Sequence, residues 1–553
     1  MVNRGKPSLD CRPCKKRKLR CDLQPDVCGQ CARAGIECFG RRDPNELIVL
    51  DQTVSTKRKV QGSQQLRDSD SEAATRYPIC PSELISNLPS AAAWLSIPRP
   101  LLPGLQVRAR TAFLSHYVLG FSRSHGALAA LYQATALDSP LSAAVDAAAI
   151  LFLAKHYQAP GYPTQPVSSP DHASDLTRLA TQSYMVATKR LGNTLRNVSL
   201  HSDKTKNVEN TRNSAYDDET LQAVLLLDMY EKLAVAGIQR PETGSPGVDE
   251  HSWMSHVRGA LSLLRASGLG QHLASPIKRR LAARLAMSLV VSCGAAGIHA
   301  PWELEQLRAG LEPYFTVAIP NASRARDQAA SLPTNMWLDP KFAVTGVVVG
   351  VVNLAANVRQ GSLTPDEACG RAQELDQQFV EMEQTLPPSW QCDRVITGSG
   401  YPMVYGGYYD IYSDHFVTQV RNVIRSMRLL LAKIVMECCD TNTSSLFRCG
   451  DIHITIENLC DDIVASVPQF TWTIARPENG IPFGPLQSLQ CFTLLSPLYL
   501  AGQLTTRAEL REWIIATMEY MADSGGLHLA TTVASILRSA PRNKLLACLF
   551  NIR

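Results

Sequence analysis

Residues 10–40 of the chain read DCRPCKKRKLRCDLQPDVCGQCARAGIECFG. Six of the sixteen cysteines fall there, with the spacing C-x2-C-x6-C-x6-C-x2-C-x6-C. A shift of 17 positions lays the first half on the second: Cys11 on Cys28, Cys14 on Cys31, Cys21 on Cys38, and Leu19 on Ile36. The stretch is a duplicated loop–helix unit with hardly any apolar side chains. So small a segment cannot offset the entropy of ordering its backbone by burial alone. Clustered cysteines in a reducing compartment read as metal ligands, and that supplies the missing interaction.

A structural zinc ion takes four ligands, and thiolate is its usual partner. Two Zn2+ per chain need eight ligand places, which six thiolates fill only if two sulfurs bridge. The repeat favours an equivalent pair, one from each half. A single ion held by four cysteines leaves Cys21 and Cys38 copying each other's spacing for no reason. Disulfides also suit an even count, but not a reducing compartment. Metal binding then supplies the folding free energy of this segment.

The scaffold repeats and the charge does not. Lys15, Lys16, Arg17, Lys18, Leu19 and Arg20 fill the interval between Cys14 and Cys21; Ala32, Arg33, Ala34, Gly35, Ile36 and Glu37 fill its copy. Residues 1–42 carry eleven Lys or Arg against four Asp or Glu, a formal +7, whereas the whole chain is +5, so the remainder is −2. A positive field confined to one end, on a metal-pinned helix, suits an end that docks on phosphates.

The six cysteines, Pro13 in CRPC, the basic KKRKLRC run and Asp22 resemble the fungal zinc binuclear cluster (Zn2Cys6) transcription regulators. The motif is specific and covers about 30 residues. The resemblance implies that the first cysteine of each half bridges, hence Cys11 and Cys28. Cys14 and Cys21 then complete one zinc site, and Cys31 and Cys38 the other. It also implies a first helix in the major groove of double-stranded DNA, reading a CGG-type triplet. Arg17 and Lys18 match the base-reading pair; such side chains donate to guanine O6 and N7. Arg12, Lys15, Lys16 and Arg20 become phosphate contacts, which position without specifying. The sequence departs from the family in the joining loop, where Pro25 stands three residues before Cys28 and the family often has it two before.

We place this zinc-cluster domain at residues 8–42, a polar linker at 43–80 and a large helical domain at 81–553. A coiled coil in the linker needs apolar heptads over three or four repeats. Leu47 and Val54 begin such a pattern and Gly62 ends it, so no coiled-coil dimer is expected there, and binding as a monomer or dimerisation through the helical domain stays open. The linker also holds the short apolar run ELIVLDQT and a second basic cluster, Lys57, Arg58 and Lys59, which reads equally as a nuclear-import signal or as solvated linker charge. GKPS, GQCARAG and RDPNELIVLDQT together resemble a subset of the family associated with regulators of secondary metabolism.

Beyond residue 80 the periodicity is helical and strand signals are scarce, so the fold class is all-α. Helices are expected over Thr220–Gly237, with Leu221, Val224, Leu225 and Leu227 near helix spacing, over Ser252–Gly268, and over Asp414–Cys439. LLLDMYE followed by W-x2-H-x2-GA resembles the fungal-specific transcription factor domain, type 2 form, which implies a regulatory role. His256 in that motif reads as a hydrogen-bonded core histidine. The apolar stretch Phe342–Val358, with its Gly346/Gly350 pair, falls short of the roughly 20 residues a membrane span needs and reads as a core helix. The stretch PDEACGRAQELDQQFVEMEQ reads as an amphipathic surface helix. YPMVYGGYYDIY (Tyr401–Tyr412) reads as a packed loop rather than the lining of a ligand pocket, the apolar end LLACLFNIR as packed, and the ten scattered cysteines as small buried hydrophobes.

No P-loop, HExxH or GxSxG pattern occurs, the twelve histidines are dispersed, and no enzyme is expected. The N-terminus shows no apolar leader, and no membrane partner is expected. These readings make the chain a nuclear, sequence-specific regulator of RNA polymerase II transcription, with DNA and the transcription machinery or co-regulators as partners. The competing reading is a helical small-molecule-binding or interaction protein whose zinc module is a docking or localisation element.

Overall fold

The computed structural model describes residues 10–38 except 12, 15, 16 and 18. It then describes 104–539 except 123–124, 157–169, 203–209, 236–251, 267–272, 274, 320–334, 399 and 441–445. The chain divides into two compact units, Met1–Leu101 and Leu102–Arg553. The expected boundaries at residues 42/43 and 80/81 lie outside the described residues, as do the linker cluster Lys57–Lys59 and the C-terminal LLACLFNIR.

In the first unit, among the described residues, only the six cysteines are buried. Leu19, Leu23, Val27 and Ile36 are all exposed. Its core is sulfur, as expected of a segment too poor in apolar side chains to fold around carbon. One short helix, α1 (Gly29–Arg33), follows Cys28.

The second unit is mostly helical, in line with the expected class. At its centre lies α2 (Pro140–His156), where every residue from Leu141 to Ala154 except Asp146 is buried. A helix that is apolar all round belongs in a core. It packs on α3 (Pro170–Ser202) and α4 (Asn210–Val235). Asp146 is matched by Arg110, whose Nη2 donates to Oδ2 at 2.7 Å. Helix α4 covers the helix expected from Thr220 and starts earlier, at Asn210; within it Thr220–Tyr230 is buried on every side. Helices α2, α5 (Ser252–Ala266) and α6 (Pro276–Ala296) all pack against it. Helix α5 begins at Ser252 as expected, while the stop at Gly268 lies outside the described residues.

Cap chemistry sets the next boundaries. Ser275 accepts from the Lys278 N–H, Pro276 opens α6, and Gly297 closes it in the left-handed region at φ 63°. Asp339, Pro340 and Gly361 do the same for α7 (Pro340–Gln360). Thr364 and Glu367 form a reciprocal capping box at the start of α8 (Pro365–Gln384). Such caps satisfy the backbone groups a helix leaves free at its ends. Helix α8 is amphipathic as expected, burying Ala368, Ala372 and Phe379.

Helix α7 carries the apolar stretch. By length and composition it passes as a membrane span, yet in this fold it packs against α6, α8 and α9 (His415–Asp440). A Cβ on Gly346 would lie 2.6 Å from the Arg308 guanidinium, and one on Gly350 would lie 2.7 Å from Leu375 of α8. The small-residue pair thus serves close packing inside the chain. Helices α10 (Leu446–Ala465), α11 (Leu495–Leu504), α12 (Ala508–Gly525) and α13 (His528–Ser539) lie in its C-terminal part.

Two antiparallel hairpins interrupt the helices: β1 (Thr316–Ile319) with β2 (Asn335–Leu338), and β3 (Cys392–Ile396) with β4 (Tyr408–Tyr412). The second corrects the loop reading of Tyr401–Tyr412. The segment Tyr408–Tyr412 is a strand, with Arg394 paired opposite Asp410 and donating to both its carboxylate oxygens at 2.8 and 3.0 Å. Gly398, Gly400, Gly406 and Gly407 all take positive φ in the connection, which masks the strand pattern behind them. Trp513 Nε1 donates to the Pro402 carbonyl at 2.9 Å and ties the connection to α12.

The motif LLLDMYE joins four helices. Tyr230 meets Thr181 of α3 at 3.2 Å. Glu231 accepts from Tyr184 of α3 and lies 3.0 Å from His256 Nε2 of α5. Lys232 donates to Asp228 and to Ser288 of α6 at 2.8 and 2.6 Å. His256 is a hydrogen-bonded packing residue, as expected. Of the ten scattered cysteines, Cys293, Cys460 and Cys491 are buried; Cys369, Cys392 and Cys438 are only half-buried. The side chains of the other four lie outside the description.

One buried histidine has a consequence for stability. His125 is fully buried beside the Tyr117 ring, and neither ring nitrogen has a hydrogen-bond partner. Burial, and then the Arg284 charge, hold its pKa well below 6.5. The folded state therefore refuses a proton that the unfolded chain accepts. Stability is full above about pH 6.5 and falls as pH drops below it, by up to about 1.4 kcal/mol per pH unit from this group. In melts of the full chain between pH 7.5 and 5.5, His125→Phe is expected to remove that part of the slope. An unchanged slope would show that other groups carry it.

Candidate metal centre

The repeat seen in the sequence is also a repeat of backbone bonds. Leu19 N–H donates to the Cys14 carbonyl at 3.0 Å, and 17 residues on Ile36 N–H donates to the Cys31 carbonyl at 3.1 Å. Arg17 N–H donates to the Pro13 carbonyl at 3.0 Å, the i to i+4 bond of a helical turn. In the second half, Cys28 caps α1, and its sulfur accepts from the Cys31 N–H at 3.3 Å. These turns bring the two closely spaced cysteines of each half to one side.

The thiol sulfurs converge. Cys11 Sγ lies 3.6 Å from Cys28 Sγ and 3.8 Å from Cys31 Sγ. Cys14 Sγ lies 3.6 Å from Cys28 Sγ and 3.8 Å from Cys31 Sγ. Zinc–sulfur bonds of about 2.3 Å in a tetrahedron set sulfurs about 3.8 Å apart, so these spacings suit zinc. Two sets of four cysteines could each hold an ion: Cys11, Cys14, Cys21 and Cys28, and Cys11, Cys28, Cys31 and Cys38. In each set all four sulfurs lie within 4.8 Å of one another. The sets overlap at Cys11 and Cys28.

The thiols are not equivalent without metal. Burial pushes the pKa values of Cys11 and Cys14 up and raises Cys31 to about 12. Burial also opposes ionisation of Cys28, but the Cys31 N–H and the thiols of Cys31, Cys14 and Cys11 donate to it and bring it down to about 6.

Arg17 and Arg20 are exposed. Arg12, Lys15, Lys16 and Lys18 lie outside the described residues. One contact escaped the sequence reading: Gly29 N–H donates to Asp22 Oδ2 at 2.8 Å across the joining loop. Leu23 in that loop takes φ 58°. A glycine directly after the fourth cysteine, with an acid directly after the third, was the signal available.

Among curated proteins the chain is similar to "Sterol uptake control protein 2" of Candida albicans, 36% identical over 73 residues. The match covers 12% of this chain and 10% of that protein. The chain thus matches about a tenth of that relative's length. No family model matches, and no solved structure matches.

Proposed function

We propose that the chain is a zinc-dependent, sequence-specific DNA-binding regulator of transcription acting in the nucleus, and not an enzyme. The observation that carries the reading is the overlap of the two cysteine sets at Cys11 and Cys28. Six thiolates serve two four-coordinate ions if these two bridge, which is the arrangement the sequence resemblance implies. Zinc, when bound, supplies the folding free energy the segment lacks. The basic first helix then presents Arg17 and Lys18 to a CGG-type triplet, with Arg12, Lys15, Lys16 and Arg20 on phosphates. The curated relative is, by its name, a control protein for sterol uptake, which agrees with a regulatory role. The helical unit would communicate with the transcription machinery or co-regulators. The N-terminal segments that resemble regulators of secondary metabolism make a biosynthetic gene cluster the target class to examine.

Metal removal tests the reading. Each thiolate ligand must shed a proton before it binds zinc, so protons compete with the metal and affinity falls as pH drops. Chelation of the full chain, or acidification, is expected to abolish DNA binding, and restored zinc at neutral pH to recover it. Binding that survives complete zinc removal would refute the proposal.

A further inference from the structure

Asp22 follows Cys21 directly, and Gly29 follows Cys28 directly. Their hydrogen bond, 2.8 Å from Gly29 N to Asp22 Oδ2, closes residues 22–29 into a ring and ties the two halves together beside two cysteines. A side chain on Gly29 would displace the carboxylate, since a Cβ there would lie 2.7 Å from the same oxygen. Immediately after Asp22, Leu23 sits at φ 58°, a region that side chains other than glycine seldom adopt. The chain thus accepts an unfavourable turn at the point where it must double back towards Cys28. This link is not part of the repeated ligand unit: 17 positions after Asp22 stands Phe39. It belongs to the junction alone.

We infer that Asp22 is a positioning residue for the metal centre, its carboxylate holding Cys28 where one thiolate serves both sets of ligands. This rests on the two-ion reading proposed above. Each half alone offers three thiolates: Cys11, Cys14 and Cys21, or Cys28, Cys31 and Cys38. A second four-coordinate ion forms only if the halves are held at the distance that lets sulfurs be shared. Each set of four draws on both halves, so loss of the link falls on both ions. Hydrogen bonds to charged groups are worth enough to shift such an equilibrium about tenfold.

Titration of the full, metal-free chain with Co2+ under reducing conditions tests this, read by thiolate charge-transfer and tetrahedral d–d absorption and checked by zinc content. The unaltered chain is expected to take two ions cooperatively at the cluster. Asp22→Ala is expected to bind cobalt about tenfold more weakly than the unaltered chain, with an altered spectrum at two equivalents. Asp22→Asn keeps an oxygen that accepts the Gly29 N–H and is expected to restore cooperative binding. Gly29→Ala should reproduce the alanine defect and add nothing to it in the double variant. Unaltered affinities in Asp22→Ala, or a loss that asparagine does not restore, would overturn the positioning role. An unaltered chain that takes one ion would instead remove the two-ion reading beneath it.

Discussion

Cys28→Ala is expected to take a ligand from both ions and unfold residues 10–40. In the two sets of possible ligands, Cys28 is common to both, as is Cys11. Removing its sulfur leaves each set with three thiolates, so neither ion keeps its fourth ligand. Apparent zinc-binding free energies of small structural domains are roughly 10–16 kcal/mol, and that energy is also their folding energy. No other core is present to take over, because among the described residues of this unit only the cysteines are buried. Zinc content, measured on the purified full chain, should fall from two to one or none, and DNA affinity should fall by roughly 100-fold or more. Cys31→Ala touches one set only and is expected to spare the other ion. Two zinc ions retained in Cys28→Ala would contradict the shared assignment.

Reversing the charges of Arg17 and Lys18 together should abolish specific DNA binding while zinc content stays unchanged. Arg17 is exposed, and the reversal creates no buried unpaired charge there. A good side-chain contact to a base is worth about 1–3 kcal/mol of discrimination. Two lost contacts, with phosphate repulsion added, amount to roughly 100-fold or more in affinity. The neighbouring Lys16→Ala is expected to behave differently. It should weaken all sequences about equally and reduce the salt slope by about one unit. A shift in base preference in Lys16→Ala, or unchanged specificity in the double reversal, would mean the helix presents other side chains to the groove.

The cluster was legible because its information is local. Ligand spacing, the 17-residue repeat and the confined basic run all lie within a few turns of chain, and each has a direct chemical meaning. The identity of the proposed bridging pair was different: two ions on six thiolates ask for two bridges, and only the resemblance named Cys11 and Cys28 for them. The two overlapping sets of sulfurs contain that same pair. The Asp22–Gly29 bond was not legible, because it depends on how the joining loop folds back.

In the helical unit, periodicity located α4, α5 and α9 but not their surroundings. Spacing of apolar residues on α4 gives its helical period, whereas its burial on all sides over Thr220–Tyr230 comes from neighbours distant in sequence. The Tyr408–Tyr412 strand was hidden because glycine-rich flanks look like loop and its partner, Cys392–Ile396, alternates weakly. The motif pairing of LLLDMYE with W-x2-H acquires a physical meaning from tertiary contact, through Glu231 and His256.

The most direct test of the account combines zinc counting with selection from random duplexes, using the full chain purified under reducing conditions. The account predicts two zinc ions per chain and enrichment of CGG-containing sites, with the arrangement of recovered triplets showing whether the module acts singly or in pairs. One zinc per chain, or two with no sequence enriched, would contradict it.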